Sequence, residues 1–250
     1  GPQVSEGWYG VPFEQPLTRT REYVEIVRMA LARKTLCYDG RAWTLPLPPE
    51  TPGATGLGRP LKLLAKPVQE RIPIYLGAIG PQAVVQVGAI ADGWLPFLLD
   101  PEQPDVLLDP LRRGAEEAGR SLADIDVAPV VPVALADTVA AARDLVRPWL
   151  AFYLGAMGAK DKNFYVELAE RYGRGAAARA CQERWLAGDR AGAAAALSDE
   201  LIDSAAIATT PDRLDERLAR YAAAGATTLL AVPTGDKAAV VRALADAAAP

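Results

Sequence analysis

The chain has 250 residues, half of them apolar, with a net charge of −4 and no histidine. That length fits one large domain or two small ones, with enough apolar side chains for a sizeable core. The basic residues are dispersed, which excludes an electrostatic nucleic-acid or membrane-surface binder, and the lack of histidine excludes His-ligated zinc, a His triad and a His general base within this chain.

No apolar run reaches the roughly 18 residues of a membrane span, and no signal-peptide pattern opens the chain. Cys37 and Cys181 stand alone, without a CxxC or Cys/His neighbour. They read as reduced thiols of a cytoplasmic protein rather than as a disulfide or a metal site.

The opening GPQVSEGWYG lacks an initiator Met and reads as a loop. Trp8, Tyr9 and Phe13 serve there either to stack on a planar ligand or to cover a rim. Residues 17–34 place Tyr23, Ile26, Val27, Ala30 and Leu31 on one helical face, with Thr18 or Thr20 as cap. A turn at Asp39-Gly40 and a short extended piece at Ala42–Leu45 follow, then a Pro- and Gly-rich loop over 46–60.

Residues 72–78, 93–99, 125–135 and 227–232 are buried-strand patterns, with Pro129 and Pro132 limiting the third. Helices are expected over 81–91, 104–120 (stopped at Gly119), 137–154 (capped by Asp137, kinked at Pro148) and 237–248. A further helix starts at Pro211, with Thr210 as cap, and closes at Gly225. Residues 155–206 are Ala-rich and broken by Gly, and read as an insertion of three or four short helices. Four strands alternating with helices argue for an α/β fold on a parallel sheet. Periodicity alone leaves an open doubly wound sheet and a (β/α) barrel in competition.

The segment PIYLGAIGPQAVVQVGAIADGWLP concentrates the chemistry. Gly77, Ala78, Ile79, Gly80 and Pro81 join a strand to a helix without a charged side chain. Such bare backbone can approach an anion, and the helix N-terminus adds positive potential, so a phosphate suits it. The competing reading is a tight turn whose glycines only relieve strain. Trp94 belongs either to a pocket or to a turn. YLGAMGAKDKNFY, with Tyr153, Met157 and Asn163, reads either as a substrate lid or as an ordinary helix start capped by Asp161 or Asn163.

SEGWYGVPFEQPLTRTREYVEIVRMAL, YDGRAWTLP, IYLGAIGP with GAIADGW, AMGAKDKNFY and TTPDRLDERLARYAAAGATTLLAVPT together resemble the luciferase-like monooxygenase superfamily, nearest its coenzyme F420-dependent oxidoreductase branch. The resemblance covers nearly the whole chain. It implies a TIM (β/α)8-barrel family fold, with this chain carrying roughly the C-terminal half of the barrel plus the 155–206 insertion in one domain. It also implies that the first strands and the catalytic groups lie upstream, leaving the catalytic residues unassigned here.

By carry-over, Gly77, Ala78, Ile79, Gly80 and Pro81 hold the cofactor phosphate, and the loop with Gly1, Pro2, Gln3 and Glu6 lies against the cofactor. The implied cofactor is F420, with FMN as the alternative. The implied activity is hydride transfer to or from an organic substrate; the substrate candidates Trp94, Tyr153, Met157 and Asn163 come from the pocket and lid readings of the residues themselves. An FMN-dependent monooxygenase and a non-catalytic phosphate-ligand binder stay open beside it. No metal is implied, and the family's habit of pairing allows a homodimer.

Overall fold

A computed structural model describes residues 1–248. The chain forms two compact units. One comprises Gly1–Ile74 with Ile90–Asp92, and the other comprises Tyr75–Ala89 with the chain from Gly93 onward.

The first unit holds helices α1 (Pro2–Gly7) and α2 (Pro16–Leu31) and an antiparallel hairpin of β1 (Tyr38–Asp39) and β2 (Thr44–Leu45). The expected opening loop is therefore a short helix, because Pro2 takes the first helical position, where its missing N–H costs nothing. Neither Thr18 nor Thr20 caps α2. Its N-cap is Gln15, left-handed at φ 46°, without a side-chain cap. The inward face also differs from the expected one, since Tyr23 is exposed while Glu22 and Val24 are buried. The cause is the Glu22 carboxylate, which accepts the backbone N–H groups of Arg41 (2.7 Å), Ala42 (2.9 Å) and Trp43 (2.9 Å). Burial pushes this carboxyl up, but the three N–H groups hold it below its ordinary value. Asp92 closes the unit in the same manner, taking the Ile74 N–H at 2.9 Å and ion-pairing with Arg28 at 3.1 Å and with Arg71.

The second unit is α/β with parallel sheets. Strands β3 (Tyr75–Leu76), β4 (Gly93–Trp94) and β5 (Asp126–Val127) pair in that order. Strand β6 (Val130–Leu135) sits between β7 (Ile207–Thr209) and β8 (Leu230–Pro233). A parallel bridge from Phe97 to Val130 continues β4 alongside β6. The expected strand 125–135 is thus two segments, interrupted where Pro129 has no N–H to give the ladder. The 93–99 ladder is shorter than expected, since Pro96 cannot donate and Leu98 turns to φ 57°. Strand β7 falls just past the expected insertion and was not anticipated. The last strand starts at Leu230, because Thr227 and Thr228 give their hydroxyls to Asp126.

Helix α3 (Pro81–Ile90) packs against α4 (Asp105–Glu117) with backbones almost touching. A β-carbon on Gly88 would fall 2.2 Å from the Leu111 carbonyl, and one on Gly114 1.9 Å from that of Val85. Only glycine permits this approach. Helix α4 buries Leu107, Leu108, Leu111 and Ala115. Each buried leucine contributes about 1.5–3 kcal/mol.

Helix α5 (Val139–Ala156) is capped by Thr138, whose hydroxyl accepts the Ala141 N–H at 3.2 Å, one residue past the expected Asp137. Its buried Ala142, Val146, Leu150, Ala151 and Leu154 recur at helical spacing. The insertion is four helices: α6 (Phe164–Arg171), α7 (Gly175–Leu186), α8 (Arg190–Ala195) and α9 (Asp199–Ala205). Arg143 on α5 ties α9 down through Asp203 at 2.6 Å and Asp199 at 2.9 Å. Helices α10 (Leu214–Ala223) and α11 (Lys237–Ala247) complete the unit. Their Leu214, Tyr221 and Val240 share a core with Val131, Val133 and Ile207. Among the described residues no helix is long and apolar enough to cross a membrane.

Candidate functional site

The ladder of β3 ends at Leu76, and Gly77–Gly80 carry the chain to α3 at the C-terminal end of a parallel strand. Pro81 is the first helical residue, and the Gly80 carbonyl accepts the Val84 N–H at 2.9 Å. The N–H groups of Gln82 and Ala83 therefore have no acceptor within the helix, and the helix dipole adds positive potential there.

Two observations bear on the glycines. Neither Gly77 nor Gly80 has the positive φ that nine other glycines of the chain show. A β-carbon on Gly80 would meet nothing within 4 Å, and one on Gly77 only the Leu95 carbonyl at 4.0 Å. Neither backbone conformation nor packing within the unit asks for glycine at either place. The strain-relief reading finds no support in these two positions, and the space beside Gly80 is open.

Two side chains hold this turn. The Trp94 indole N–H on β4 donates to the Ala78 carbonyl at 3.0 Å. The Arg171 guanidinium, in the last turn of α6, donates to the Ile79 carbonyl at 2.6 Å. Arg171 is half-buried, and burial lowers its pKa from the usual arginine value, with Tyr172 and Glu167 opposing.

Beside the end of β4, Phe97 meets the rings of Tyr153 (4.6 Å between centroids), Tyr165 (5.1 Å) and Trp149 (5.3 Å). All four are half-buried and form an apolar wall from α5, α6 and the β4 exit. Burial pushes the Tyr165 hydroxyl up from its ordinary value.

The sequence-derived candidates fall in different places. Gly77, Ala78, Ile79, Gly80 and Pro81 form one continuous turn, and Tyr153 belongs to the aromatic wall. Gly1, Pro2, Gln3 and Glu6 lie at α1 in the other unit, where Glu6 accepts the Phe13 N–H at 3.2 Å. Two candidates need correction. Trp94 is fully buried beneath the turn, so its indole supports backbone rather than facing a substrate. Asn163 is buried as the N-cap of α6. It accepts the N–H groups of Tyr165 (3.0 Å) and Val166 (3.2 Å) and donates to the Leu154 carbonyl at 2.7 Å, so the cap role holds all of its polar atoms. Met157 is exposed at the end of α5. A polar groove lined by Lys160, Asp161, Glu167, Glu170, Arg179 and Gln182 does not include the turn.

Sequence reasoning missed Arg171 and Phe97. Arg171 lies in a helical run of the insertion, and only its long-range contact distinguishes it. Phe97 sits inside an apolar run read wholly as a strand.

A family model described as luciferase-like monooxygenase matches residues 1–228. A Mycobacterium tuberculosis protein named as a coenzyme F420-dependent oxidoreductase is 39% identical over 248 residues, covering 98% of this chain and 70% of that one. The 5,10-methylenetetrahydromethanopterin reductase of Archaeoglobus fulgidus is 29% identical over 236 residues, covering 92% of this chain and 64% of that one. The solved coenzyme F420-dependent tetrahydromethanopterin reductase from Methanopyrus kandleri superposes with a TM-score of 0.77 at 24% identity, covering 98% of this chain and 70% of that one. The last comparison concerns the fold, a TIM barrel of the luciferase-like type.

Proposed function

The chain belongs to the luciferase-like monooxygenase family, and we propose that it acts as an oxidoreductase on coenzyme F420 and a small organic substrate. When bound, the cofactor supplies hydride chemistry at C5 of its deazaflavin ring. The name of the Mycobacterium tuberculosis relative favours F420 over FMN, the alternative.

In this reading the turn Gly77–Pro81 is the phosphate seat. The observation that carries it is the open space at Gly80, where neither φ nor packing within the unit explains the missing β-carbon. The N–H groups at the start of α3 bind and orient the phosphate. The wall of Phe97, Trp149, Tyr153 and Tyr165 gives an apolar surface that excludes water from a ring placed against it. No catalytic side chain is assigned. A cytoplasmic location belongs to the same reading and accords with the free thiols of Cys37 and Cys181.

Fluorescence-quenching titration of the purified protein with F420 and with FMN tests the proposal. F420 is expected to bind the more tightly. Tighter binding of FMN, or binding of neither by a folded protein, would overturn it.

A further inference from the structure

In a trans peptide the carbonyl of one residue and the N–H of the next lie in one plane and point in opposite directions. Trp94 holds the Ala78 carbonyl and Arg171 holds the Ile79 carbonyl, so two consecutive peptide planes of the turn are fixed. The Ile79 N–H is thereby turned away from the buried indole of Trp94, and the Gly80 N–H away from the guanidinium of Arg171. Glycine at position 80 would otherwise let the 79–80 peptide rotate readily. Rotation would replace a donor by a carbonyl oxygen, which repels a phosphate.

We propose that Arg171 and Trp94 are positioning residues that fix the peptide planes of the 77–81 turn, presenting the Ile79 and Gly80 N–H groups to the anionic part of the ligand. The proposal rests on the reading of this turn as a phosphate seat.

The arrangement also assigns a task to the insertion. Asn163 caps one end of α6 and fixes where the helix begins, while Arg171 at the other end reaches the Ile79 carbonyl. That carbonyl accepts the hydrogen bond of Arg171 at 2.6 Å, while Tyr172 and Glu167 act on the guanidinium only through their charge. The helix is thus a strut between its buried cap and the turn. Trp94 acts from the neighbouring strand. It lies 16 residues from Ala78, whereas Arg171 lies 92 from Ile79.

The test measures affinity for two ligands, F420 and the same deazaflavin with its ribityl chain but no phosphodiester. The proteins are wild type, Arg171→Met, Arg171→Lys and Trp94→Phe. Arg171→Met is expected to weaken F420 binding about tenfold or more while affinity for the phosphate-free ligand changes less than about twofold, tenfold being about 1.4 kcal/mol. Arg171→Lys, which keeps a cationic N–H donor without the guanidinium fork, should recover part of the loss. Trp94→Phe removes the other donor while keeping a ring in the core and carries the same expectation, so the test survives if Arg171→Met does not fold.

Equal losses for both ligands, or no loss for either in folded variants, would overturn the proposal. A wild type that binds both ligands equally would overturn the phosphate seat itself, an outcome distinct from failure of the two variants.

Discussion

The Tyr75 hydroxyl donates to the Asp126 carboxylate at 2.5 Å, and its ring crosses Gly93 to do so. The three residues are register partners on β3, β4 and β5, with Gly93 in the middle. A β-carbon on Gly93 would fall 2.2 Å from the Tyr75 ring. Glycine at this position is therefore the space that lets a side chain on one strand tie the strand two places away. Thr227 and Thr228, leading into β8, donate to the same carboxylate.

Gly93→Ala should force the ring off the strand and destabilise the protein by about 1–3 kcal/mol. Urea denaturation measures this. The sharper observation is a double-mutant cycle: Tyr75→Phe should be costly in the wild type and nearly neutral in the Gly93→Ala background, because the hydroxyl bond is already lost there.

Asp126 also sets an acid limit on stability. Burial pushes its carboxyl up, but hydrogen bonds from Thr227, Tyr75 and Thr228 outweigh this and hold it below the ordinary 3.8. A carboxyl depressed in the folded state stabilises the fold above its unfolded pKa, and that stabilisation is lost as pH falls through the folded value. Wild-type stability should therefore decline between about pH 5 and pH 2, and Asp126→Asn should show a shallower decline from a lower starting stability. Urea midpoints across that range decide it. The depressed carboxyl of Asp92 should keep some acid sensitivity in the variant.

Gly80→Val should weaken F420 binding strongly while leaving helix content and melting temperature close to wild type, since a β-carbon at this position meets nothing within 4 Å. Gly77→Ala should do less, because one methyl at ordinary φ approaches only the Leu95 carbonyl. Titration calorimetry with circular dichroism on the same samples checks both. Unchanged affinity in folded Gly80→Val would remove the phosphate from this turn.

These relationships were unevenly legible in the sequence. The turn was readable because Gly77, Gly80 and Pro81 are adjacent and follow an apolar run. The apolar runs of β3, β6 and β8 were also visible as strands, although only β6 is buried while Tyr75 of β3 and Leu230 of β8 are exposed, and so was the helical character of the insertion. The break at Pro129 was only half visible, since a proline limits a strand without saying whether pairing resumes beyond it. Strand β7 escaped notice because three residues carry too little pattern. Glu22 defeated the helical-face argument, because a carboxylate is buried only where donors from another segment meet it, and periodicity cannot supply those. Arg171 escaped for a similar reason, and Trp94 was singled out without its role: a basic residue in a last helical turn and an aromatic in an apolar run each have an ordinary explanation until the carbonyl they hold is located.

The most direct measurement of the phosphate seat is a backbone amide NMR titration of the isotopically labelled protein. On adding F420, the amide resonances of Ile79, Gly80, Gln82 and Ala83 should move downfield as their N–H groups bond to the phosphate, and the phosphate-free deazaflavin should leave them nearly unmoved. If F420 binds and those resonances stay in place while others shift, the phosphate sits elsewhere and the role assigned to this turn is wrong.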